Sequence, residues 1–89
     1  AAMITVDKNH ISRLMLLEAY SEKHKTQERL HFFERKYHQT FSEFEKQLTE
    51  DEEDFNHFDD YMEWKAYANY LNDLNLKIQE LKSGNIRVA

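Results

Sequence analysis

The hydrophobic and polar positions in the last third of the chain repeat with the period of an α-helix. Six apolar or aromatic residues alternate spacings of three and four: Trp64, Tyr67, Leu71, Leu74, Ile78 and Leu81. This spacing places the six side chains along one face of a helix, as in a coiled-coil seam. Gly84, the only glycine, follows at the point where a helix C-terminus favours a left-handed residue. The pattern predicts a helix from about residue 56 to about residue 83.

A second long helical pattern runs from about residue 8 to about residue 38. Residues 14–17 are all apolar, and Leu30, Phe33 and Tyr37 belong to a second apolar group near the end. The segment between these two groups is almost entirely polar. Since the chain contains no proline, nothing in its composition interrupts this helix. We therefore predict a helix that is apolar at both ends and polar in its middle.

A short middle helix is predicted from about residue 41 to about residue 49. Thr40 and Glu43 have the spacing of a capping box, in which the hydroxyl accepts a hydrogen bond from a first-turn amide and the glutamate reaches back. Phe41 and Phe44 follow at helical spacing, and an acidic connection leads on to the last helix.

Together these elements indicate an all-α, coiled-coil-like protein, in which the two long helices form an antiparallel hairpin with the short helix between them. The β-branched segments 3–6 and 86–88 lie at ends that such a hairpin brings together, and we predict short terminal strands there. A chain of 89 residues is expected to form a single domain. Ala1 and Ala2, which precede Met3, resemble a cloning remnant.

Antiparallel pairing matches the apolar groups of the long helices at both ends, with Leu14 and Leu17 against Ile78 and its neighbours. The predicted core comprises Leu14, Leu17, Leu30, Phe33, Tyr37, Phe44, Tyr61, Trp64, Ile78 and Leu81. In the middle, apolar residues of the last helix would face polar residues of the first. Contiguous apolar surface without an internal partner indicates an interface. We accordingly predict a partner-binding surface formed by Phe55, Phe58, Tyr67, Tyr70, Leu71 and Leu74.

Aromatic side chains recur at every third position between residues 55 and 70. The series is Phe55, Phe58, Tyr61, Trp64, Tyr67 and Tyr70. Because a helix turns about 100° per residue, each step of three drifts about 60° around the axis, so the six cannot share one face. We expect them to be covered from several directions in turn. Part of the series belongs to the core, and part provides the tyrosine and tryptophan anchors that dominate binding hot spots.

Composition and charge exclude several classes of protein. The chain has no cysteine, which removes disulfides and zinc–thiolate sites as stabilising devices. It has neither an apolar run of the roughly 20 residues that a membrane span needs nor a signal peptide, so we expect a cytoplasmic protein without membrane association. Residues 8–38 hold seven basic and four acidic groups, whereas residues 39–89 hold five basic and twelve acidic groups. The net charge of −5 favours a basic partner and disfavours nucleic acid.

No nucleophile and base can be read together in this sequence, so we expect a protein without enzymatic activity or a cofactor. The pairs Glu28 with His31 and Asp54 with His57 have the three-residue spacing that di-iron carboxylate proteins use. A dimeric, ferritin-like di-metal protein is therefore one alternative. Chance pairing among five histidines and 17 acidic residues is the stronger explanation. A purely structural oligomerisation domain is the other alternative.

Two segments carry a resemblance to a known family. Residues 36–44 read KYHQTFSEF, an acidic linker follows, and residues 60–67 read DYMEWKAY ahead of a leucine-rich helix. This order resembles small prokaryotic antitoxin components, in particular the TumA type encoded beside a TumE-type toxin, over about residues 30–83. Those relatives often have glycine after the tyrosine of the first segment, where this chain has His38. The resemblance implies a non-enzymatic protein that neutralises a cognate toxin by direct binding. Together with the unmatched apolar surface and the acidic charge, it leads us to expect as partners a second copy of the chain (a homodimer or higher oligomer), a small basic toxin protein, or both.

Overall fold

The structure, a computed structural model, describes residues 8–50 and 55–84 and consists there of three helices. Helix α1 spans Lys8–Tyr37, α2 spans Phe41–Glu50 and α3 spans Phe55–Lys82. The two long helices pack against each other along the hairpin, and α2 packs against α3. The all-α hairpin fold is thus confirmed, with helix bounds that differ from the predicted ones by about one residue. The predicted strands at 3–6 and 86–88 lie outside the described residues.

Two separate apolar clusters hold the hairpin together, one near each end. The first contains the buried Ala19, Ile78 and Leu81, with Met15 and Leu16 packed against them. The second contains the buried Phe33, Phe44 and Trp64, with Leu30, Tyr37, Phe41, Tyr61 and Tyr67 packed against them. The structure therefore has an apolar core at each end of the hairpin, as predicted. Because burial of apolar surface is the main favourable term in folding, these two clusters supply most of the hairpin's stability.

The prediction that Leu14 and Leu17 belong to the core is wrong. Leu14 is 53% exposed and Leu17 is 67% exposed. Ile78 packs instead in the cluster of Ala19, so the pairing of the two helices is displaced by about one turn from the predicted one. Met15 and Ala19 lie on the inner face of α1, and Leu17, two residues from each, points away because a helix turns about 100° per residue.

The connection between α1 and α2 explains how the chain reverses around the aromatic cluster. His38 adopts φ = +53°, a left-handed conformation that glycine accommodates best. The Thr40 Oγ1 accepts from the Glu43 amide at 3.3 Å and donates to the Glu43 carboxylate at 3.1 Å. The capping box is therefore present in a variant form, because the carboxylate meets the hydroxyl.

The end of α3 is formed as predicted. Gly84 has φ = +81°, and its amide donates to the Leu81 carbonyl oxygen at 3.4 Å. A left-handed glycine at this place satisfies carbonyl groups that the last helical turn leaves free. Within the described ranges, no helix combines the length and the apolar character that crossing a bilayer requires.

Candidate protein-binding groove

An open groove of about 600 Å³ runs along one flank of the hairpin at its middle. Ten residues line it: Glu22, His24, Lys25, Thr26, Glu28, Arg29, Phe32, Arg35, Tyr67 and Tyr70. Eight belong to α1 and two to α3, and no residue of α2 is among them. The groove therefore lies along the polar middle of α1, which the sequence predicts to face apolar residues of α3.

Thr26 explains why the helices leave a depression here. Its side chain is buried, and its hydroxyl donates to the Glu22 carbonyl oxygen of the preceding turn at 2.7 Å. The polar atom thus has its partner within α1 and needs none from α3. A short threonine between the two apolar clusters fills less space than the leucines and aromatics on either side. The rims of the groove consequently stand above its floor.

Aromatic side chains supply the apolar part of the groove. Phe32 is half-exposed and Tyr70 is 42% exposed, whereas Tyr67 also packs against the aromatic cluster around Trp64. The Tyr70 hydroxyl donates to the Glu22 carboxylate at 3.4 Å. Partial burial together with the negative charge of Glu22 raises the pKa of Tyr70 above its usual value. Tyr67 thus anchors the floor, and Tyr70 presents a ring at the rim.

Charged side chains surround these rings with both signs. The Lys25 ammonium lies 3.7 Å from the Glu22 carboxylate, and His24 lies 3.9 Å from the Glu28 carboxylate. Among the described residues, neither Arg29 nor Arg35 has an acidic group within 4 Å. Two guanidinium groups are therefore available for carboxylates or carbonyl oxygens of a bound molecule.

The predicted partner-binding residues are divided among several environments. Tyr67 and Tyr70 line the groove, whereas Leu71 is half-buried. Leu74 is buried, so its assignment to a partner surface is wrong: the hairpin itself covers this side chain. Phe58 is half-exposed on a different face of α3. The side chain of Phe55 lies outside the described part of the chain.

Three residues of α1 that were not predicted as binding residues also line the groove: Arg29, Phe32 and Arg35. A helical projection of α1 alone shows that these positions lie away from its apolar seam. It does not show that they border the same depression as Tyr70, because that depends on the pairing of α1 with α3. Predicting these groove residues from the sequence would therefore require the register in which α1 pairs with α3.

The residues of the metal-binding alternative do not come together in the described structure. Glu28 and His31 are exposed on α1, and Asp54 lies outside the described residues. His57 contacts the rings of Tyr37 and Phe44, with centroid separations of 5.5 and 6.3 Å. Within residues 8–50 and 55–84, no three histidine or acidic side chains are placed to share a metal ion.

Beyond this geometry, comparison with known proteins adds no assignment. The chain matches no protein-family model, no curated protein and no solved structure.

Proposed function

We propose that this chain is a non-enzymatic, cytoplasmic protein-binding module of antitoxin type, which neutralises a small basic toxin by binding it through the groove at the middle of the hairpin. The observation that carries the proposal is the combination, around one depression, of half-exposed aromatic rings with two arginines that have no acidic partner among the described residues. Tyrosine and arginine are strongly enriched among residues whose truncation costs the most binding energy. In this groove they are placed on two long helices, so little conformational entropy is lost on binding.

The arrangement separates the binding surface from the core. Trp64 is buried in the aromatic cluster, whereas Tyr70, only six residues further along α3, reaches the rim of the groove. Hot spots are most effective where the surrounding contacts exclude water. Phe32 and the aliphatic part of Arg29 flank such a site from α1. A partner that inserts a side chain between Tyr70 and Phe32 would therefore be enclosed from both helices.

The charges of the chain favour a partner that is basic overall but that presents acidic or carbonyl groups to the groove. The net charge of −5 and the acidic residues after position 38 attract a basic protein over distances of about a Debye length, roughly 10 Å at moderate salt. The guanidinium groups of Arg29 and Arg35 would then donate hydrogen bonds to acceptor groups of the molecule that enters the groove. Long-range attraction and local recognition thus involve different parts of the surface.

The proposal is tested by identifying the product of the adjacent gene and, where it is a small basic protein, titrating it with the purified chain by isothermal titration calorimetry. Tyr70→Ala and Arg29→Ala should each weaken binding by about tenfold or more. The matched control for the first variant is Tyr20→Ala, since Tyr20 is 40% exposed and Tyr70 is 42% exposed. Arg13→Ala, on the outer side of α1, is the control for the second.

The same variants decide between the proposed function and its alternatives. Growth rescue by co-expression should fail with Tyr70→Ala and persist with Tyr20→Ala if the chain acts as an antitoxin through the groove. Binding that is reduced equally by both tyrosine variants would place the interface elsewhere. Absence of any binding to the neighbouring protein, with self-association as the only interaction, would favour the structural oligomerisation domain.

A further inference from the structure

An exposed aromatic ring on the α1 side of the groove lies between two arginines. Phe32 is half-exposed, and Arg29 and Arg35 are three residues before it and three residues after it. Since a helix rises about 1.5 Å per residue, each arginine is only about 4.5 Å from Phe32 along the helix axis. All three side chains line the groove. The α1 wall thus presents a ring flanked by two planar cations, and we call these three residues the arginine row.

The acidic groups of the hairpin leave the two guanidinium groups of the arginine row without partners. Glu28 of α1 lies 3.9 Å from the imidazole of His24, and Asp60 of α3 accepts a hydrogen bond from Lys36 at 2.7 Å. In the part of the chain that the structure describes, no carboxylate lies within 4 Å of either arginine. A carboxylate of a bound molecule would therefore meet both guanidinium groups without displacing an internal ion pair.

The walls of the groove restrict which backbone conformation can fill it. Both walls belong to helix interiors, whose backbone amides and carbonyl groups already bond within α1 and α3. An extended segment in the groove would lose water from its amides and carbonyl groups without gaining backbone partners, whereas a helix bonds them internally. From Glu22 to Arg35 the lining covers about 20 Å of α1, which corresponds to between three and four helical turns. The groove therefore fits a short helix better than an extended segment.

The presence of both signs of charge in the lining favours a protein segment over a polyanion. Arginine and aromatic side chains together are also typical of surfaces that bind single-stranded nucleic acid. A phosphodiester chain along this groove would, however, pass Glu22 and Glu28, and it would approach a protein with a net charge of −5. In a helix, by contrast, each position can carry a different charge. Carboxylates can therefore face the arginine row, while neutral or basic side chains face Glu22 and Glu28.

We propose that the groove binds an amphipathic helix of the partner protein, in which aspartate or glutamate side chains flank an apolar row. The apolar row packs against Phe32 and Tyr70, and the carboxylates bind Arg29 and Arg35. Arginine forms two parallel hydrogen bonds with a carboxylate, which fixes the position of the bound helix as well as adding affinity. Apolar grooves commonly recognise amphipathic helices in this way. The inference rests on the proposed function, and it specifies which part of a basic partner enters the groove.

Selection from a library of helical peptides tests this chemistry without requiring the identity of the partner. The probe is a displayed, alanine-based peptide of about 18 residues, in which the positions of one helical face are randomised. We expect selection on the purified chain to enrich large apolar residues along the centre of this face and aspartate or glutamate beside them. Enrichment of lysine or arginine at the flanking positions would overturn the proposal. So would a selection that yields no peptide able to distinguish the wild type from Tyr70→Ala.

Binding of a selected peptide, measured by fluorescence anisotropy, tests the role of the arginine row. The dissociation constant should rise about tenfold in Arg29→Gln and in Arg35→Gln, with helices intact by circular dichroism. Arg13→Gln is the matched control, because it removes the same charge from an exposed position of α1 outside the groove. Replacing the peptide's acidic residues by their amides should weaken binding to the wild type by a similar factor, but should have little further effect on the double arginine variant. Equal effects of Arg13→Gln and Arg29→Gln would show that only net charge matters and would contradict the proposal.

A labelled oligouridylate of about 12 nucleotides is the second probe. We expect it to bind the wild type no better than Tyr70→Ala. Binding that is tighter than that of the selected peptide, and that is lost in Tyr70→Ala, would identify single-stranded nucleic acid as the ligand of the groove and overturn the proposal.

The product of the adjacent gene separates this inference from the proposed function. If that product binds through Tyr70 but is unaffected by the double arginine variant, the acidic helix is wrong and the binding function stands. If the selected peptides require the arginine row but that product does not bind, the acidic helix stands and the antitoxin function is wrong.

Discussion

Replacement of Trp64 by alanine should be the most destabilising single substitution in the described chain. Trp64 has no exposed surface, and its ring lies between 5.2 and 6.1 Å from four others: Phe33, Tyr37, Phe41 and Phe44. Two of those rings belong to α1 and two to α2, so the indole, which belongs to α3, joins all three helices. Removing a buried tryptophan costs about 3–5 kcal/mol, from lost burial and from the cavity that remains. Aromatic pairs add about 0.5–1.5 kcal/mol each.

The magnitude is large against the stability of a small domain. At about 0.05–0.15 kcal/mol per residue, a chain of this length has about 4–13 kcal/mol of unfolding free energy. Trp64→Ala should therefore leave a chain that is largely unfolded, or that unfolds at low denaturant concentration. Trp64→Phe retains one ring and should lose less than half as much. Leu17→Ala, on the outer face of α1, should change the free energy by less than about 0.5 kcal/mol.

Urea unfolding followed by circular dichroism at 222 nm measures these differences. Tryptophan fluorescence is unsuitable for the alanine variant, since Trp64 is the only tryptophan in the chain. Curves for the wild type, Trp64→Ala, Trp64→Phe and Leu17→Ala should be analysed with a common slope wherever the transitions are two-state. A loss below about 1 kcal/mol for Trp64→Ala would refute the assignment of the aromatic cluster as the main core. A loss above 2 kcal/mol for Leu17→Ala would refute the displaced pairing of the helices.

Two further predictions concern the α1–α2 junction and its contact with α3. His38→Gly should raise the free energy of unfolding by about 0.5–1 kcal/mol in urea titrations. The reason is that glycine adopts the left-handed conformation without strain, and this gain exceeds the cost of the larger conformational entropy of the unfolded glycine variant. A decrease would show that the imidazole of His38 makes a stabilising contact. Burial acts to raise the pKa of Asp60, but hydrogen bonds from Lys36 and Tyr37 outweigh it and hold the pKa below its usual value. The contribution of the Asp60 carboxylate is therefore present above about pH 4, its unfolded-state pKa, and is lost as the pH falls through the lower folded-state value. Asp60→Asn should cost about 1 kcal/mol at pH 6 by urea unfolding, and progressively less as the pH is lowered below about 4, whereas a cost that does not change with pH would exclude this linkage.

The helices were predictable because their signals are local. The alternation of three and four from Trp64 to Leu81, the capping pair Thr40 and Glu43, and Gly84 each act within one or two helical turns. Hydrogen bonds and dihedral angles in the structure bear out all three signals. Helix bounds therefore follow from the residues nearby, without knowledge of how the helices pack.

The pairing of the helices was not predictable to the same degree, because more than one register satisfies the apolar pattern. Four consecutive apolar residues, 14–17, surround α1 and offer an apolar side chain to α3 in several registers. The register that places Leu14 and Leu17 inside would bury more leucine side chains than the observed register does. The observed one buries Ala19 instead, and it places Phe33 at 5.6 Å from Trp64 in a stacked arrangement. The aromatic cluster at the other end, with its contacts to α2, thus decides the register for the whole hairpin.

The aromatic residues of α3 show why stability and binding can reside in one helix without competing. Their three-residue spacing carries successive rings around the axis, so Tyr61 stacks on Phe41 of α2, Trp64 is enclosed by all three helices, and Tyr70 reaches the rim of the groove. The groove exists because Thr26 leaves space between the two apolar clusters. A larger apolar residue there would join the clusters and stabilise the hairpin, but it would fill the floor on which Tyr67 and Tyr70 are presented. Folding alone would favour a continuous apolar seam, so the polar centre of α1 is the part of the hairpin on which the proposed binding function rests.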